Sequence, residues 1–150
     1  MKKVVTKSLE ETQAFAKVWL ESLPAPEGDT DEATIVGLYG NLGSGKTTFT
    51  QAVARELGIK ETVTSPTFVI EKFYEINITK HSHFKRLIHI DAYRLENGRE
   101  LEILNFEELV SNKNNLIIIE WPENVKEILP ENHLKIYCEF VDETTREFTF

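Results

Sequence analysis

The run Gly40-Asn41-Leu42-Gly43-Ser44-Gly45-Lys46-Thr47-Thr48 fits the pattern G-x-x-x-x-G-K-[ST], with Gly43 beyond the minimum. Glycines at these places let the main chain curl so that successive N–H groups aim inward, a concavity suited to the oxygens of a phosphate chain. Lys46 adds a cation for the β- and γ-phosphates, and the Thr47 hydroxyl is a ligand for Mg²⁺. A helix that starts directly after such a loop contributes the positive end of its dipole. The chemistry indicated is binding of a nucleoside triphosphate with its magnesium. The competing reading is an incidental glycine turn, and the flanks decide between the two.

Both flanks favour the phosphate loop. Ala33-Thr34-Ile35-Val36-Gly37-Leu38-Tyr39 is an almost continuous apolar run of strand length, as expected for a strand covered on both faces. From Lys46 to Leu57 the apolar residues Phe49, Val53 and Leu57 recur at helical spacing, and Gly58 supplies a stop. Strand, glycine loop, helix is the order the motif requires.

Two further apolar runs end in an acid: Leu87-Ile88-His89-Ile90-Asp91 and Leu116-Ile117-Ile118-Ile119-Glu120. In open α/β sheets, ligands gather beyond the carboxyl ends of the parallel strands. If these two strands run parallel to the one before the glycine loop, both acids share a rim with the phosphates. There each can ligate the metal, hold a metal-bound water or orient an attacking water, and the residues alone do not divide the tasks. Ser65-Pro66-Thr67 lies where a mobile loop could bring Thr67 to the γ-phosphate, or where a plain strand-entry turn would sit. Arg94 has two readings, a charge for phosphate or a surface residue, and Trp121 either packs over the site or fills the core.

The remaining elements must position this set. Ser8-Leu9-Glu10-Glu11 is a capping box opening a helix to about Leu23, and the stretch from Pro24 to Glu32 reads as a surface loop. A strand is expected from Phe68 to about Ile78, antiparallel to the one ending at Asp91 across the basic tip Thr79–Lys85. Short helical pieces follow over residues 98 to 111, and Pro122 suits the first turn of another. Leu134-Ile136-Cys138-Phe140, then Phe148 and Phe150, alternate about a turn at Asp142–Thr145. They predict a C-terminal β-hairpin at one sheet edge. The expected fold is one α/β domain over residues 1–150, a P-loop NTPase-like three-layer sandwich with a mixed parallel and antiparallel sheet.

Composition narrows the function. A net charge of −8 argues against an extensive direct nucleic-acid footprint. One cysteine, Cys138, cannot make an internal disulfide, and no run reaches membrane-span length, so a cytoplasmic protein without a membrane role is expected.

The four motifs Gly40–Phe49, Ser65-Pro66-Thr67-Phe68, His89-Ile90-Asp91-Ala92-Tyr93-Arg94-Leu95 and Ile119-Glu120-Trp121-Pro122 resemble, in order and spacing, the TsaE (formerly YjeE) family. The resemblance spans essentially the whole chain. It implies a small ATPase using ATP and Mg²⁺, slow alone, that works with TsaB and TsaD in placing threonylcarbamoyl on adenosine 37 of tRNAs reading codons that begin with A. Contact with tRNA would be indirect, through that complex. Carried over by motif, the resemblance implies that Gly40, Leu42, Gly43, Ser44, Gly45, Lys46, Thr47 and Thr48 bind nucleotide with Trp121 beside them. It further implies that Thr47 and Glu120 hold Mg²⁺, that Asp91 supports hydrolysis, that Thr67 is switch-like, and that Thr6 lies near the adenine. The loops at Pro24–Glu32 and Thr79–Lys85 look longer than is usual for the family. The alternatives from the residues themselves are a small-molecule kinase on the same fold and a nucleotide-dependent binding module that does not hydrolyse. A GTPase is disfavoured because Asn112-Lys113-Asn114-Asn115 lacks the final Asp of N-K-x-D.

Overall fold

The computed structural model describes residues 1–25, 28, 30–77 and 83–150. Its elements in chain order are β1 (Lys3–Thr6), α1 (Leu9–Ser22), β2 (Thr34–Tyr39), α2 (Lys46–Glu56), β3 (Glu71–Glu75) and β4 (Arg86–Asp91). There follow α3 (Arg99–Ile103), α4 (Phe106–Val110), β5 (Asn115–Glu120), a 3₁₀ segment (Pro122–Ile128), β6 (Leu134–Phe140) and β7 (Arg146–Thr149). Among the described residues no helix is long and apolar enough to cross a membrane.

The seven strands form one mixed sheet in the order β1-β7-β6-β2-β5-β4-β3. β2, β4, β5 and β6 are parallel, with Leu38 opposite Glu120 and Asp91 opposite Glu120 in register. β3 is antiparallel to β4, while β6–β7 and β7–β1 are antiparallel pairs. The parallel pairing puts the glycine loop, Asp91 and Glu120 on one rim, as the apolar-then-acid pattern required.

Two cores flank the sheet. One packs α1 and α2 (Phe15, Ala16, Trp19, Leu20, Phe49, Val53) on Val36, Leu38, Leu116, Ile118, Ile136, Cys138 and Phe148. The other packs α3, α4 and the 3₁₀ segment (Leu101, Phe106, Val125) on Ile35, Ile88, Ile90, Ile117 and Ile119. Each fully buried Ile or Leu stabilises by about 1.5–3 kcal/mol. No residue of β1, β6 or β7 belongs to the second core, so there the helical layer covers only the half built from β2, β5 and β4.

Ser8 caps α1 as expected, its Oγ accepting the Glu11 amide at 3.1 Å, while Glu11 Oε2 accepts the amide of Lys7, one residue before the cap, at 2.7 Å. Three expectations are corrected. The chain opens with a strand, β1, before the first helix. Its pairing with β7 displaces the C-terminal hairpin from the edge, and the amides and carbonyls of Lys2 and Phe150 bond each other at 2.6 and 2.9 Å. The strand expected from Phe68 starts only at Glu71. Pro66 O accepts the amides of Val69 and Ile70, at 3.1 and 2.7 Å, so Thr67–Ile70 is a turn, and Ile70 takes φ 69° to leave it. Ile78, most of the Thr79–Lys85 tip, and residues 26, 27 and 29 of the Pro24–Glu32 loop lie outside the described residues.

Candidate functional site

The glycine loop takes its shape from backbone conformations that side chains disfavour. Gly45, the residue before α2, has φ 102°, and Gly40 has φ 149°. A Cβ at Gly40 would collide with the Cys138 carbonyl oxygen and Ser44 Oγ, so loop and β6 meet too closely for any other residue. Ser44 N bonds Asn41 O at 3.1 Å, and Phe49 N bonds Gly45 O at 2.9 Å. The intervening amides of Gly45, Lys46, Thr47 and Thr48 have no backbone acceptor among the described residues. They are the free N–H groups of a helix start, open to an anion.

Leu42, Gly43, Ser44, Gly45, Lys46, Thr47, Thr48, Thr67, Asp91, Glu120 and Trp121 line one cleft of about 390 Å³, together with Ser65, Tyr93 and Arg146. Gly40 and Thr6 do not line it. Gly40 contributes its carbonyl, which accepts Lys46 Nζ at 2.5 Å alongside Asn41 O at 2.9 Å. Thr6 is buried and bonds Thr12 Oγ1 at 2.8 Å. Its register partner on β7 is Arg146, a cleft residue.

Lys46 is the central cation. Its Nζ lies 4.3 Å from the Trp121 ring centroid. Burial pushes its ammonium below the ordinary lysine value, and nearby Glu120 works in the opposite direction. Trp121 sits at φ 59°, ψ 47°, a left-handed conformation unusual for a bulky residue and most so before a proline. Backbone of this kind concentrates at functional sites. Here it turns the ring over Lys46 and against Tyr93, whose ring centre is 5.0 Å away.

The two acids have different surroundings. Glu120 is buried, and its Oε1 accepts both Thr47 Oγ1 and His89 Nε2, each at 2.8 Å. Thr47 and Glu120 thus put two hard oxygen donors together at the start of α2, a donor set that fits Mg²⁺. Asp91 is held by its own loops. Oδ2 accepts Ser65 Oγ at 2.5 Å and Thr67 Oγ1 at 2.7 Å, while Oδ1 accepts the Tyr93 amide at 2.9 Å. Thr67 therefore ties the 67–70 turn to the end of β4. On that turn Phe68 is 84% exposed, and its ring carries the Arg94 guanidinium at 4.3 Å, so Arg94 faces Phe68 and is absent from the cleft lining.

Three contributors escaped the sequence reading. Ser65 shares Asp91 with Thr67. His89 occupies the same sheet face as Asp91, two residues earlier, and a polar residue in an apolar strand was the available signal. Arg146 comes from β7, with its Cγ 3.3 Å from where a Cβ on Gly45 would stand and its Nη1 held by Asp142 O at 2.6 Å. Nothing local to residue 146 announces that neighbour. The Asn112–Asn115 run enters β5 at the opposite end of the sheet from the glycine loop, so it lies away from any guanine that the cleft would hold.

A family model described as "Threonylcarbamoyl adenosine biosynthesis protein TsaE" matches residues 6–148. The chain belongs to the TsaE family. It is 38% identical over 141 residues to the tRNA threonylcarbamoyladenosine biosynthesis protein TsaE of Bacillus subtilis, covering 94% of this chain and 79% of that one. To the protein of the same name from Rickettsia bellii it is 34% identical over 143 residues, covering 95% and 89%. The crystal structure of Bacillus subtilis YdiB superposes with a TM-score of 0.72 at 29% identity, over 98% of this chain and 82% of that one. The P-loop NTPase-like α/β architecture of this TsaE-family chain agrees with that neighbour.

Proposed function

We propose that the chain is a Mg²⁺-dependent ATPase that serves tRNA threonylcarbamoyladenosine formation together with TsaB and TsaD, touching tRNA only through that assembly. The observation that carries the reading is the convergence, on one rim of parallel strands, of free amides at a helix start, Lys46, and the acids Asp91 and Glu120. The relatives' names supply the pathway.

In this reading the amides of Gly45 to Thr48 and the Lys46 ammonium take the phosphates. Lys46 exchanges its contacts with Gly40 O and Asn41 O for phosphate oxygens. Thr47 and Glu120 hold the metal, which when bound neutralises charge on the phosphates. Asp91 accepts or orients the attacking water once Ser65 and Thr67 release its Oδ2, so the turn and the acid act as one unit. Trp121 and Tyr93 wall the cleft, and Arg146 adds positive charge from the hairpin side. The −8 net charge suits protein partners more than bare RNA.

The test is ATP hydrolysis with tRNA, measured with and without TsaB and TsaD. Slow turnover alone and stimulation by the two proteins are expected; high partner-independent turnover contradicts the proposal. Asp91→Ala should abolish hydrolysis while retaining ATP. Full function in that variant would point to a binding module that does not hydrolyse.

A further inference from the structure

Glu120 is a carboxylate at the end of a strand buried at every residue, and it needs hydrogen-bond donors there. Among the described residues it has two, both on Oε1. One is the Thr47 hydroxyl, which has a second task in the reading above. The other is His89, whose ring is fully buried in β4 and whose Nδ1 has no partner among the described residues. The register explains how they meet. His89 pairs with Ile118 across β4–β5, so Glu120, two residues on, is its diagonal neighbour on the same sheet face. To donate to the carboxylate, Nε2 must carry a proton.

We infer that His89 is a positioning residue for the metal site: its Nε2–H fixes the Glu120 carboxylate so that the acid keeps its orientation when Thr47 turns to Mg²⁺. This rests on the assignment of Glu120 to the metal. A histidine chosen only to fill the strand would be replaceable by an apolar residue, and its neighbours Ile88 and Ile90 show what this strand otherwise uses. Among the described residues the His89 side chain makes no other hydrogen bond, so its one polar contact is spent on this acid. Donors behind a ligating carboxylate set its orientation, and their loss costs about 10- to 100-fold in metal affinity.

The experiment titrates Mn²⁺ onto the full-length protein with ADP, read by electron paramagnetic resonance, in wild type, Glu120→Gln, His89→Leu and His89→Gln. Metal-free ADP affinity serves as the folding control. Glu120→Gln and His89→Leu should each weaken Mn²⁺ by at least about tenfold while metal-free ADP binding stays within about twofold, and His89→Gln, whose amide can still donate, should recover most of the loss. If His89→Leu does not fold, His89→Asn replaces it, since its shorter amide falls short of Glu120. Loss in Glu120→Gln with wild-type Mn²⁺ affinity in His89→Leu or His89→Asn overturns the inference and leaves the metal site standing. Unchanged Mn²⁺ affinity in Glu120→Gln overturns the metal assignment and the inference with it. A ¹⁵N spectrum of the histidines showing His89 protonated at Nδ1 instead of Nε2 also overturns it.

Discussion

The two halves of the sheet are built differently. β2, β5 and β4 are covered on both faces, and β5 is buried at every residue. Among the described residues, β6, β7 and β1 are covered on one face only, with Tyr137 and Val5 on the other left partly in water. The first half ends in the glycine loop, Asp91 and Glu120; the second contributes a single side chain, Arg146, to the cleft. A strand packed on both sides has little freedom to shift, so an acid at its end is held to within the tolerance of the core. The half with one bare face is less constrained, and from it comes a residue that adds charge to the cleft without fixing its acids.

Substitutions can test that contrast. Ile118→Ala, in the doubly covered half, should cost about 2–5 kcal/mol in urea unfolding. Tyr137→Ala on the bare face should cost about 1 kcal/mol or less. Similar losses would erase the distinction. Lys46→Ala should weaken ATP about 100-fold by calorimetry, the loss of a charge-assisted contact worth roughly 3 kcal/mol. Arg146→Ala should weaken ATP by only about tenfold and leave the Mg²⁺ dependence of hydrolysis unchanged. A loss as large as that of Lys46→Ala would promote the hairpin to an equal partner.

The smallest effect concerns the turn that holds Arg146. Hydrogen bonds from Thr145, and then from Thr144, keep the exposed Asp142 carboxyl below its ordinary value of 3.8. Its folded pKa is depressed, so its contribution is complete above 3.8 and disappears as pH falls through the lower folded value. Protection of the Thr144 and Thr145 amides, taken relative to their intrinsic exchange rates, should fall selectively on acidification through that window, and Asp142→Asn should remove the step. Burial has pushed the nearby Cys138 thiol up to about 12. It should resist alkylation in the native protein at neutral pH, and prompt labelling would show that β6 opens readily.

The doubly covered half was legible because its strands are unbroken apolar runs that stop at an acid or a glycine, and burial on both faces permits little else. The rest escaped for physical reasons. Lys3-Val4-Val5-Thr6 is a short edge strand whose partner, β7, lies at the far end of the chain, so no local pattern marks it. Phe68-Val69-Ile70 has strand composition, yet Pro66 and the hydroxyl bonds of Ser65 and Thr67 to Asp91 fold it as a turn that leaves Phe68 in solvent. The roles of His89 and Arg146 depend on register, diagonal across β4–β5 for one and across β7 for the other. Glu120 and Asp91, by contrast, were readable as a pair because each ends its own strand.

The pairing of β1 with β7 has a consequence for biosynthesis. A nascent chain leaves the ribosome from its amino end, and units form as their parts emerge. Glycine loop, Lys46, Asp91 and Glu120 are all made before β7, but Lys3–Thr6 must wait for Arg146–Thr149 before it can pair. Arg146 reaches Gly45 only when β7 docks, so the docking that pairs β1 also completes the cleft.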